Sequence, residues 1–277
     1  MVKPLIVVLG DKGFLGRSLV QNFLASNFSV LGIRRNQMCF YDNRVSYEKE
    51  FDLGKFHELV VSFSEDYIFL NCVRDDRLEF SEDILVRMLQ LSQSASLVIN
   101  FSTYIQHYES AFTSTMKLYR DNQLRKSAFL SKNLDHNKLV DVSLFTLYGV
   151  GDSPMSFLHA ITKDLIQNKE IQLTGLNQLI SYTLVDDVCM LIDSLVERTL
   201  LKYGNYSFWQ APPERLEEYF FRLMKLTLST SKFSIGARDY KGHEIFEYRE
   251  EIFPPQISPA FSWTNFEDGV RFLLSKY

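Results

Sequence analysis

The first 150 residues alternate short apolar runs with segments whose apolar positions recur at helical spacing. Four apolar runs have the length of buried strands: 5–9, 28–33, 67–72 and 97–101. Apolar positions three and four residues apart predict helices over about 15–26, 54–63, 81–92 and 113–131. Strands that are apolar throughout and alternate with helices are typical of a parallel sheet covered on both faces. The pattern therefore predicts an α/β fold with a doubly wound parallel sheet.

The second half of the chain continues this alternation with shorter strands. Strands are predicted over 140–148, 170–175 and 206–210. Helices are predicted over about 154–168, 185–196 and 214–226. The sequence from Thr264 to Glu267 has the spacing of a capping box, which predicts that a last helix begins at this point.

Three glycines follow the first strand at three-residue spacing, namely Gly10, Gly13 and Gly16. In such a strand–turn–helix unit the first glycine allows a tight turn and the second lets the backbone approach a pyrophosphate. The third lets the helix lie against the strand. Free N–H groups at the start of the helix favour the bound phosphates. Because a strand comes before these glycines and a helix after them, the segment predicts a dinucleotide site rather than an ordinary turn.

Two arginines, Arg34 and Arg35, come at the end of the second strand. In dinucleotide-binding units an acidic residue at this place bonds the ribose 2′-hydroxyl of NAD, whereas arginine accommodates the 2′-phosphate of NADP. The chain has no acidic residue there, so the sequence favours NADP over NAD. Further along, Asp52 follows a weak strand over 45–47 and is a candidate partner for the adenine amino group.

Small or polar residues follow several of the predicted strands directly. They are Gly10, Arg34, Asp52, Cys72 and the pair Ser102 and Thr103. Open parallel sheets bind their ligands beyond the carboxyl ends of the strands, so these residues are expected to share one site.

Composition and charge narrow the class of ligand. The chain of 277 residues is 46% hydrophobic and has a formal net charge of −4, which argues against nucleic acid as its main partner. It has no apolar run of membrane-spanning length and no signal-peptide pattern at its start, so a cytoplasmic location is expected. Three scattered cysteines fit a reducing compartment, and five scattered histidines give no metal-ligand spacing.

Several segments together resemble the extended short-chain dehydrogenase/reductase family of sugar-nucleotide epimerases, dehydratases and ketoreductases. In the cofactor loop, Phe14 and Leu15 stand between the second and third glycines, as in that family. The segment 145–151 is similar to the family's strand end facing the substrate, and 175–188 to its segment leading into a Val-Asp-Asp-Val helix. The segment 236–240 resembles a late motif of the family's substrate lobe.

The resemblance implies a Rossmann-like sheet with a smaller C-terminal lobe and a nucleotide-linked sugar bound between them. Residues 1–150 and 182–211 would then form the dinucleotide-binding domain. Residues 151–181 and 212–277 would form the substrate-binding lobe.

The catalytic residues of the family are matched only in part. Ser102 and Thr103 match its serine or threonine after the fifth apolar strand. The family also has a tyrosine four residues before a helical lysine, whose ammonium lowers the pKa of the phenol and holds the nicotinamide ribose. Lys117 fits this lysine, but Thr113 stands four residues before it, and no tyrosine of the chain has a lysine at that spacing. At the place of an arginine that the family uses for the sugar-nucleotide phosphates, this chain has Ile180.

Three accounts of the missing tyrosine are open. In the first, another tyrosine supplies the proton, with Tyr104 and Tyr108 as candidates and Tyr119 as a weaker one. In the second, substrate or water supplies the proton. In the third, the chain binds the cofactor or a sugar nucleotide without catalysing a reaction.

The sequence favours an NADP(H)-dependent reductase of a nucleotide-linked 4-keto sugar. The alternatives are an epimerase or dehydratase with tightly bound NAD(P) and a non-catalytic binding protein. The resemblance implies that Thr146, Tyr148 and Arg238 bind the substrate. It also implies a homodimer formed through the helices over 81–92 and 113–131.

Overall fold

The computed structural model describes residues 3–34, 37–41, 46–63, 66–73, 82–108, 113–197, 203–241, 244–256 and 261–276. Of the candidate site residues, Arg35 lies outside the described residues.

The elements follow the predicted alternation of strands and helices. The first half has β1 (Leu5–Leu9), α1 (Phe14–Ala25), β2 (Val30–Ile33), β3 (Gln37–Tyr41), β4 (Ser46–Glu50), α2 (Leu53–Phe63), β5 (Tyr67–Asn71), α3 (Glu82–Ser92), β6 (Leu97–Thr103), a 3-10 helix (Tyr104–His107) and α4 (Ser114–Asn133). The second half has β7 (Leu139–Leu144), β8 (Thr146–Tyr148), α5 (Phe157–Ile166), β9 (Ile171–Gln172), β10 (Leu179–Ile180), β11 (Tyr182–Leu184), α6 (Val185–Glu197), β12 (Gly204–Phe208), β13 (Glu214–Arg215), α7 (Leu216–Thr227), β14 (Phe233–Ser234), a 3-10 helix (Glu250–Ile252) and α8 (Phe266–Leu274).

Eight strands form the central sheet in the order β12-β7-β6-β5-β1-β2-β3-β4. The strands from β12 to β2 pair in parallel. β3 runs against both of its neighbours, β2 and β4. The predicted doubly wound α/β fold is therefore confirmed, with a mostly parallel sheet.

The segment between β2 and α2 differs from the prediction. The sequence predicts one weak strand over 45–47, whereas the structure has the two antiparallel strands β3 and β4 at this edge. Met38 and Phe40 of β3 are buried in the core on one face of the sheet. Three apolar residues between polar segments are too few to show the alternation that distinguishes a strand from a loop.

The two faces of the sheet carry separate cores. Ile6 and Val8 of β1 point to the face covered by α1 and α6, while Val7 and Leu9 point to the face covered by α2, α3 and α4. This split follows from the alternation of side chains along a strand. A fully apolar β1 is thus explained by burial on both faces.

A third core joins α5, α7 and α8 with the short strands of the second half. The chain returns from this region to the central sheet at β12, which pairs with β7. The division of the chain into two domains and its boundaries stay a prediction.

The last helix begins where the capping pattern predicts, but with a different cap. Asn265 is the N-cap of α8, and its side chain accepts a hydrogen bond from the N–H of Asp268 at 2.9 Å. Thr264 instead donates its N–H and its hydroxyl to the carboxylate of Asp187 in α6, each at 2.7 Å. Among the described residues, no helix is long and apolar enough to cross a membrane.

Candidate dinucleotide and substrate site

The turn between β1 and α1 has the geometry that the glycine spacing predicts. Gly10 has a φ of +89°, in the left-handed region that favours glycine. A Cβ atom on Gly16 would lie 2.2 Å from the carbonyl oxygen of Gly10, so α1 approaches β1 as closely as only glycine permits. Gly13 is the N-cap of α1 and forms no side-chain cap, which leaves the first helical N–H groups to a ligand or solvent. These features suit a pyrophosphate.

Phe14 and Leu15 are half-buried packing residues of this turn. Both lie against the core between the sheet and the α1–α6 layer. The Cζ atom of Phe14 is also 3.4 Å from the position that a Cβ on Gly149 would take. The two side chains therefore fix the loop on the sheet, and direct contact between them and a cofactor stays a prediction.

Arg34 forms an ion pair inside the protein. Its Nε lies 3.1 Å from Oδ1 of Asp11, and its Nη2 lies 3.2 Å from Oδ2. Asp11 belongs to the glycine loop and is 1% exposed. The hydroxyl of Tyr41 donates to the same carboxylate at 2.6 Å. The arginine predicted for a 2′-phosphate thus already has an anionic partner, which the sequence analysis missed although Asp11 stands within the loop.

Asp52 and Cys72 are placed near the predicted edge, but their observed contacts are structural. The Asp52 carboxylate accepts a hydrogen bond from the N–H of Lys55 at 2.8 Å and so caps α2. The backbone of Cys72 lies beneath the loop, where a Cβ on Gly10 would be 3.3 Å from its carbonyl carbon. Burial raises the pKa of the Cys72 thiol, which makes it unreactive.

Ser102 and Thr103 end β6 at the carboxyl edge, as predicted. Ser102 is buried and donates its hydroxyl hydrogen to Oδ1 of Asp141 in β7 at 2.7 Å. The Thr103 hydroxyl accepts a hydrogen bond from the N–H of Ile105 at 3.4 Å. Its own hydrogen has no acceptor among the described residues, so Thr103 is the better placed of the two hydroxyls to donate to a ligand.

A buried polar layer continues from Ser102 across three strands. Asn100 donates to Oδ2 of Asp141 at 3.0 Å and accepts from Asn71 at 2.8 Å. The three polar side chains are each at most 5% exposed. Because the Asp141 charge has two hydrogen-bond donors, its burial is compensated.

The same layer reaches a histidine in the 3-10 helix after β6. The Ser143 hydroxyl lies 3.2 Å from that of Ser102 and 2.7 Å from Nε2 of His107. Burial lowers the pKa of His107, against an opposing effect of the Asp141 carboxylate. The site therefore favours the neutral form of the His107 imidazole.

Lys126 of α4 brings a buried ammonium to this edge. Its side chain is fully buried, and Nζ donates to the carbonyl oxygens of Phe101 at 2.8 Å and Val73 at 3.3 Å. These carbonyls belong to the ends of β6 and of the segment after β5. Burial lowers the pKa of Lys126 to about 8, although the negative charge of Asp141 opposes the shift. A strongly perturbed lysine at a sheet edge is a candidate for a functional role.

Lys117, the lysine selected from the sequence, lies nine residues before Lys126 in α4, and its catalytic role stays a prediction. It is exposed in the first turn of α4, and its ammonium has no hydrogen bond or ion pair with the described residues. Thr113 before it is the N-cap of α4 and accepts from the N–H of Met116 at 3.4 Å. The residue four positions before Lys126 is Asn122, which is also buried.

Lys126 escaped the sequence analysis because the buried face of α4 is polar in its first half. The buried positions there are Tyr119, Asn122, Gln123 and Lys126. Their spacing of three, one and three residues continues to the buried Leu130 and marks one helical face. Hydrophobic periodicity cannot locate a buried face made of polar residues. The one local sign was that Lys126 stands four residues before the apolar Leu130 and so shares its helical face.

The two candidate tyrosines lie in an aromatic cluster after β6. The ring of Tyr104 stacks on Phe145, with centroids 4.6 Å apart and an interplanar angle of 12°. Tyr108 is buried in the same cluster. Burial raises the pKa of Tyr108, which makes its phenol a weaker acid. Tyr104 is only half-buried and directly follows Thr103, so it is the better placed of the two.

The predicted substrate-binding residues lie on β8 and in the segment after β14. Thr146 is half-buried in β8, which pairs with β11. Tyr148 is 1% exposed and packs in the third core, where a Cβ on Gly269 would lie 2.0 Å from its hydroxyl. Arg238 has an exposed side chain, and its N–H donates to the carbonyl of Leu173 at 3.0 Å. The ring of Tyr148 lies in the third core, and a role of this residue in substrate binding stays a prediction.

Comparisons with known proteins support the fold that these elements form. No protein-family model matches the chain, and no curated protein matches it significantly in sequence. Solved structures match over nearly the whole chain. One is a dTDP-glucose 4,6-dehydratase from Bacillus anthracis in complex with NAD, with a TM-score of 0.69, 14% identity, and coverage of 99% of this chain and 96% of that one. The chain shares its fold with this dehydratase over nearly its whole length.

Two further structures with this fold are named for different reactions. A dTDP-4-dehydrorhamnose reductase from Bacillus anthracis in complex with NADP matches with a TM-score of 0.66 and 14% identity, covering 99% of this chain and 100% of that one. A UDP-N-acetylglucosamine 4-epimerase from Bacillus cereus matches with a TM-score of 0.68 and 13% identity, at the same coverage of both chains. At these identities the likeness concerns the fold.

Proposed function

We propose that the protein is a nicotinamide-dinucleotide-dependent enzyme that oxidises, reduces or epimerises a nucleotide-linked sugar. The observation that carries the proposal is the buried ammonium of Lys126 at the carboxyl end of β6. It lies in a sheet whose β1–α1 turn has the geometry of a pyrophosphate-binding loop. Burying an ammonium is costly, so its place beside a ligand edge supports a role in binding or chemistry.

The residues at the edge fit a nicotinamide dinucleotide. The uncapped N-terminus of α1 would hold the pyrophosphate, and Lys126 would hold the nicotinamide ribose and add positive charge near the reacting oxygen. Thr103 would donate its free hydroxyl hydrogen to that oxygen. The cofactor itself supplies the hydride chemistry, and the protein supplies orientation and electrostatics.

Within this class we propose the reduction of a 4-keto sugar, with epimerisation or dehydration as the alternatives. Support for sugar-nucleotide chemistry comes from neighbours of all three kinds, which share the fold over almost the entire chain. The predicted preference for NADP depends on a free arginine after β2, and Arg34 is paired with Asp11. The proposed function therefore includes a nicotinamide dinucleotide but makes no choice between NAD and NADP.

We also propose a homodimer and a cytoplasmic location. Dimerisation through α3 and α4 is supported by apolar side chains exposed on these helices, namely Val86, Leu118 and Leu124. A cytoplasmic location was expected from the sequence pattern alone.

A second candidate function is binding without catalysis. It is favoured by Asn122, which occupies the position four residues before Lys126 where a phenol would otherwise stand. An amide does not release a proton at neutral pH. The two functions are separated by single-turnover hydride transfer, which a binding protein would not perform with any sugar nucleotide that it binds.

Dinucleotide binding is the first expected result. Saturation with NADH or NADPH should raise the free energy of unfolding by about 2.7 kcal/mol when the ligand is present at 100 times its Kd. A thermal-shift panel with both dinucleotides, and then with CDP, UDP, GDP and dTDP, checks this result and selects the nucleotide of the substrate. Absence of a shift with either dinucleotide, once co-purified cofactor has been removed, would refute the proposed function.

The proton donor is expected to be Tyr104 rather than Tyr108. Tyr104→Phe should lower kcat by about 100-fold, whereas Tyr108→Phe should leave it nearly unchanged, because Tyr104 follows Thr103 and Tyr108 is buried with a raised pKa. Turnover with the 4-keto sugar of the selected nucleotide measures both variants. Tyr203→Phe, at a side chain that is 49% exposed, is the matched control. Unchanged kcat in Tyr104→Phe would transfer the role to substrate or water.

A further inference from the structure

A carboxylate is buried in the glycine loop, next to the end of β2. Asp11 is 1% exposed, and Gly32 of β2 faces it so closely that a Cβ there would lie 2.5 Å from Oδ2. The loop and the strand are thus fitted to each other around this charge. An acidic group at such a position is costly unless it has a partner or a function.

The partners of Asp11 are the residues that a 2′-phosphate would need. Nε and Nη2 of Arg34 donate to the carboxylate at 3.1 and 3.2 Å, and Tyr41 donates its hydroxyl at 2.6 Å. The remaining nitrogen, Nη1, lies 3.4 Å from Oε1 of Gln37. Every nitrogen of the guanidinium therefore has an acceptor within the protein.

The end of the second strand is where dinucleotide-binding units distinguish the two cofactors. Nε and Nη2 of Arg34 face Asp11, so a phosphate could engage these two nitrogens only if Arg34 left the buried carboxylate, and breaking a buried ion pair is strongly unfavourable. The phosphate would also carry a second negative charge to within a few ångströms of Asp11, where like charges repel. The two ribose hydroxyls carry no such charge and can hydrogen-bond to the same groups.

We infer that Asp11, through its ion pair with Arg34, selects a dinucleotide with an unmodified adenosine ribose, so that the protein uses NAD(H) rather than NADP(H). This inference rests on the proposed function and reverses the cofactor preference that the two arginines suggested. The acid that favours the ribose hydroxyls comes from the glycine loop, 23 positions before the arginine at the strand end.

Isothermal titration of the full-length protein with NADH and NADPH tests the inference without knowledge of the sugar. We expect NADH to bind at least about tenfold more tightly than NADPH at an ionic strength of about 0.1 M. Asp11→Asn keeps the size of the side chain and removes its charge, which frees Arg34 for a phosphate. This variant should bind NADPH about tenfold more tightly than the wild type and reverse the preference.

Two controls keep the test decisive. Asp164 of α5 forms an exposed ion pair with Lys169, and Asp164→Asn makes the same change of net charge as Asp11→Asn. The cofactor preference of this variant should equal that of the wild type. If Asp11→Asn does not fold, titration of the wild type with AMP and with adenosine 2′,5′-bisphosphate answers the same question for the adenosine half alone. AMP should then bind more tightly.

The outcomes separate this inference from the proposed function. Equal or tighter binding of NADPH by the wild type overturns the inference and leaves the proposed function intact. A preference that is unchanged in a folded Asp11→Asn variant also overturns it. Failure of the wild type to bind either dinucleotide overturns the proposed function and the inference together.

Discussion

Lys126→Met is expected to lower turnover by about 100-fold, because it removes the positive charge beside the reacting oxygen. Methionine has an unbranched apolar side chain of similar length, so it fills the same space in the buried face of α4. The carbonyls of Phe101 and Val73 lose their donor, which costs about 1–3 kcal/mol of unfolding free energy, while the removal of a buried ammonium offsets this cost, so the net change in stability should be small. Steady-state kinetics and urea unfolding measure the two effects separately.

The pH dependence of the wild type gives an independent test of Lys126. The pKa of this lysine is about 8 in the folded protein and 10.5 in the reference state, so the unfolded chain binds more protons between these values. Lys126 should therefore contribute a rise in the free energy of unfolding as the pH increases from about 8 towards 10.5, by at most about 1.4 kcal/mol per pH unit. The raised pKa of the Cys72 thiol acts in the opposite direction above about pH 9, so this contribution is measured as the difference between the wild type and Lys126→Met at each pH. Dinucleotide affinity of the wild type should fall over the same range, since the ammonium loses its charge, whereas Lys126→Met should not show this loss.

Lys117→Met is the matched control, since it alters the lysine selected from the sequence in the same helix. Its side chain is exposed, and both turnover and stability should remain as in the wild type. If Lys117→Met lost turnover while Lys126→Met kept it, the assignment of the two lysines would have to be exchanged.

Gly16→Ala is expected to lower the free energy of unfolding by about 3 kcal/mol and to abolish dinucleotide binding. The added Cβ would lie 2.2 Å from the carbonyl oxygen of Gly10 and 3.1 Å from the Cα of Asp11. Both contacts are with backbone, so relief requires α1 to move away from the loop. Urea unfolding and titration with NADH measure the two losses.

Gly54→Ala is the comparison for this prediction. In α2 the nearest atom to an added Cβ is Oδ1 of Asp52 at 3.2 Å, and it belongs to a side chain that can move. The substitution should change the free energy of unfolding by less than about 1 kcal/mol. Equal effects of the two substitutions would show that the close approach of α1 to β1 is not what requires Gly16.

Local patterns predicted the β1–α1 unit because its determinants are adjacent in sequence. A buried strand, a glycine with positive φ and an uncapped helix start lie within 20 residues of one another. The residues at the carboxyl edge were predicted for a different reason, namely that parallel strands place their carboxyl ends side by side. β3 was not predicted because its three apolar residues become a strand only through pairing with β2 and β4, which the local sequence does not show.

The rest of the site depends on contacts between distant segments. Nothing near Asp11 in the sequence shows that Arg34 pairs with its charge or that Tyr41 donates to it, because the three residues meet only when β1, β2 and β3 are side by side. The burial of the Tyr148 ring could not be predicted locally either, because the third core around it is built from α5, α7 and α8. Lys126 was hidden by the polar character of its helix face.

The buried polar layer has a consequence for strand pairing. In the β6–β7 ladder Asn100 stands opposite Asp141 and Ser102 opposite Ser143, so the polar side chains of both strands match at alternate positions. A slip of one residue would turn Asp141 to the apolar face under α1 and α6, away from the side chains that donate to it. Apolar strands alone permit several alignments of similar free energy. These few polar residues therefore specify a single alignment of the two strands, and with it the relative positions of Thr103 and the end of β7.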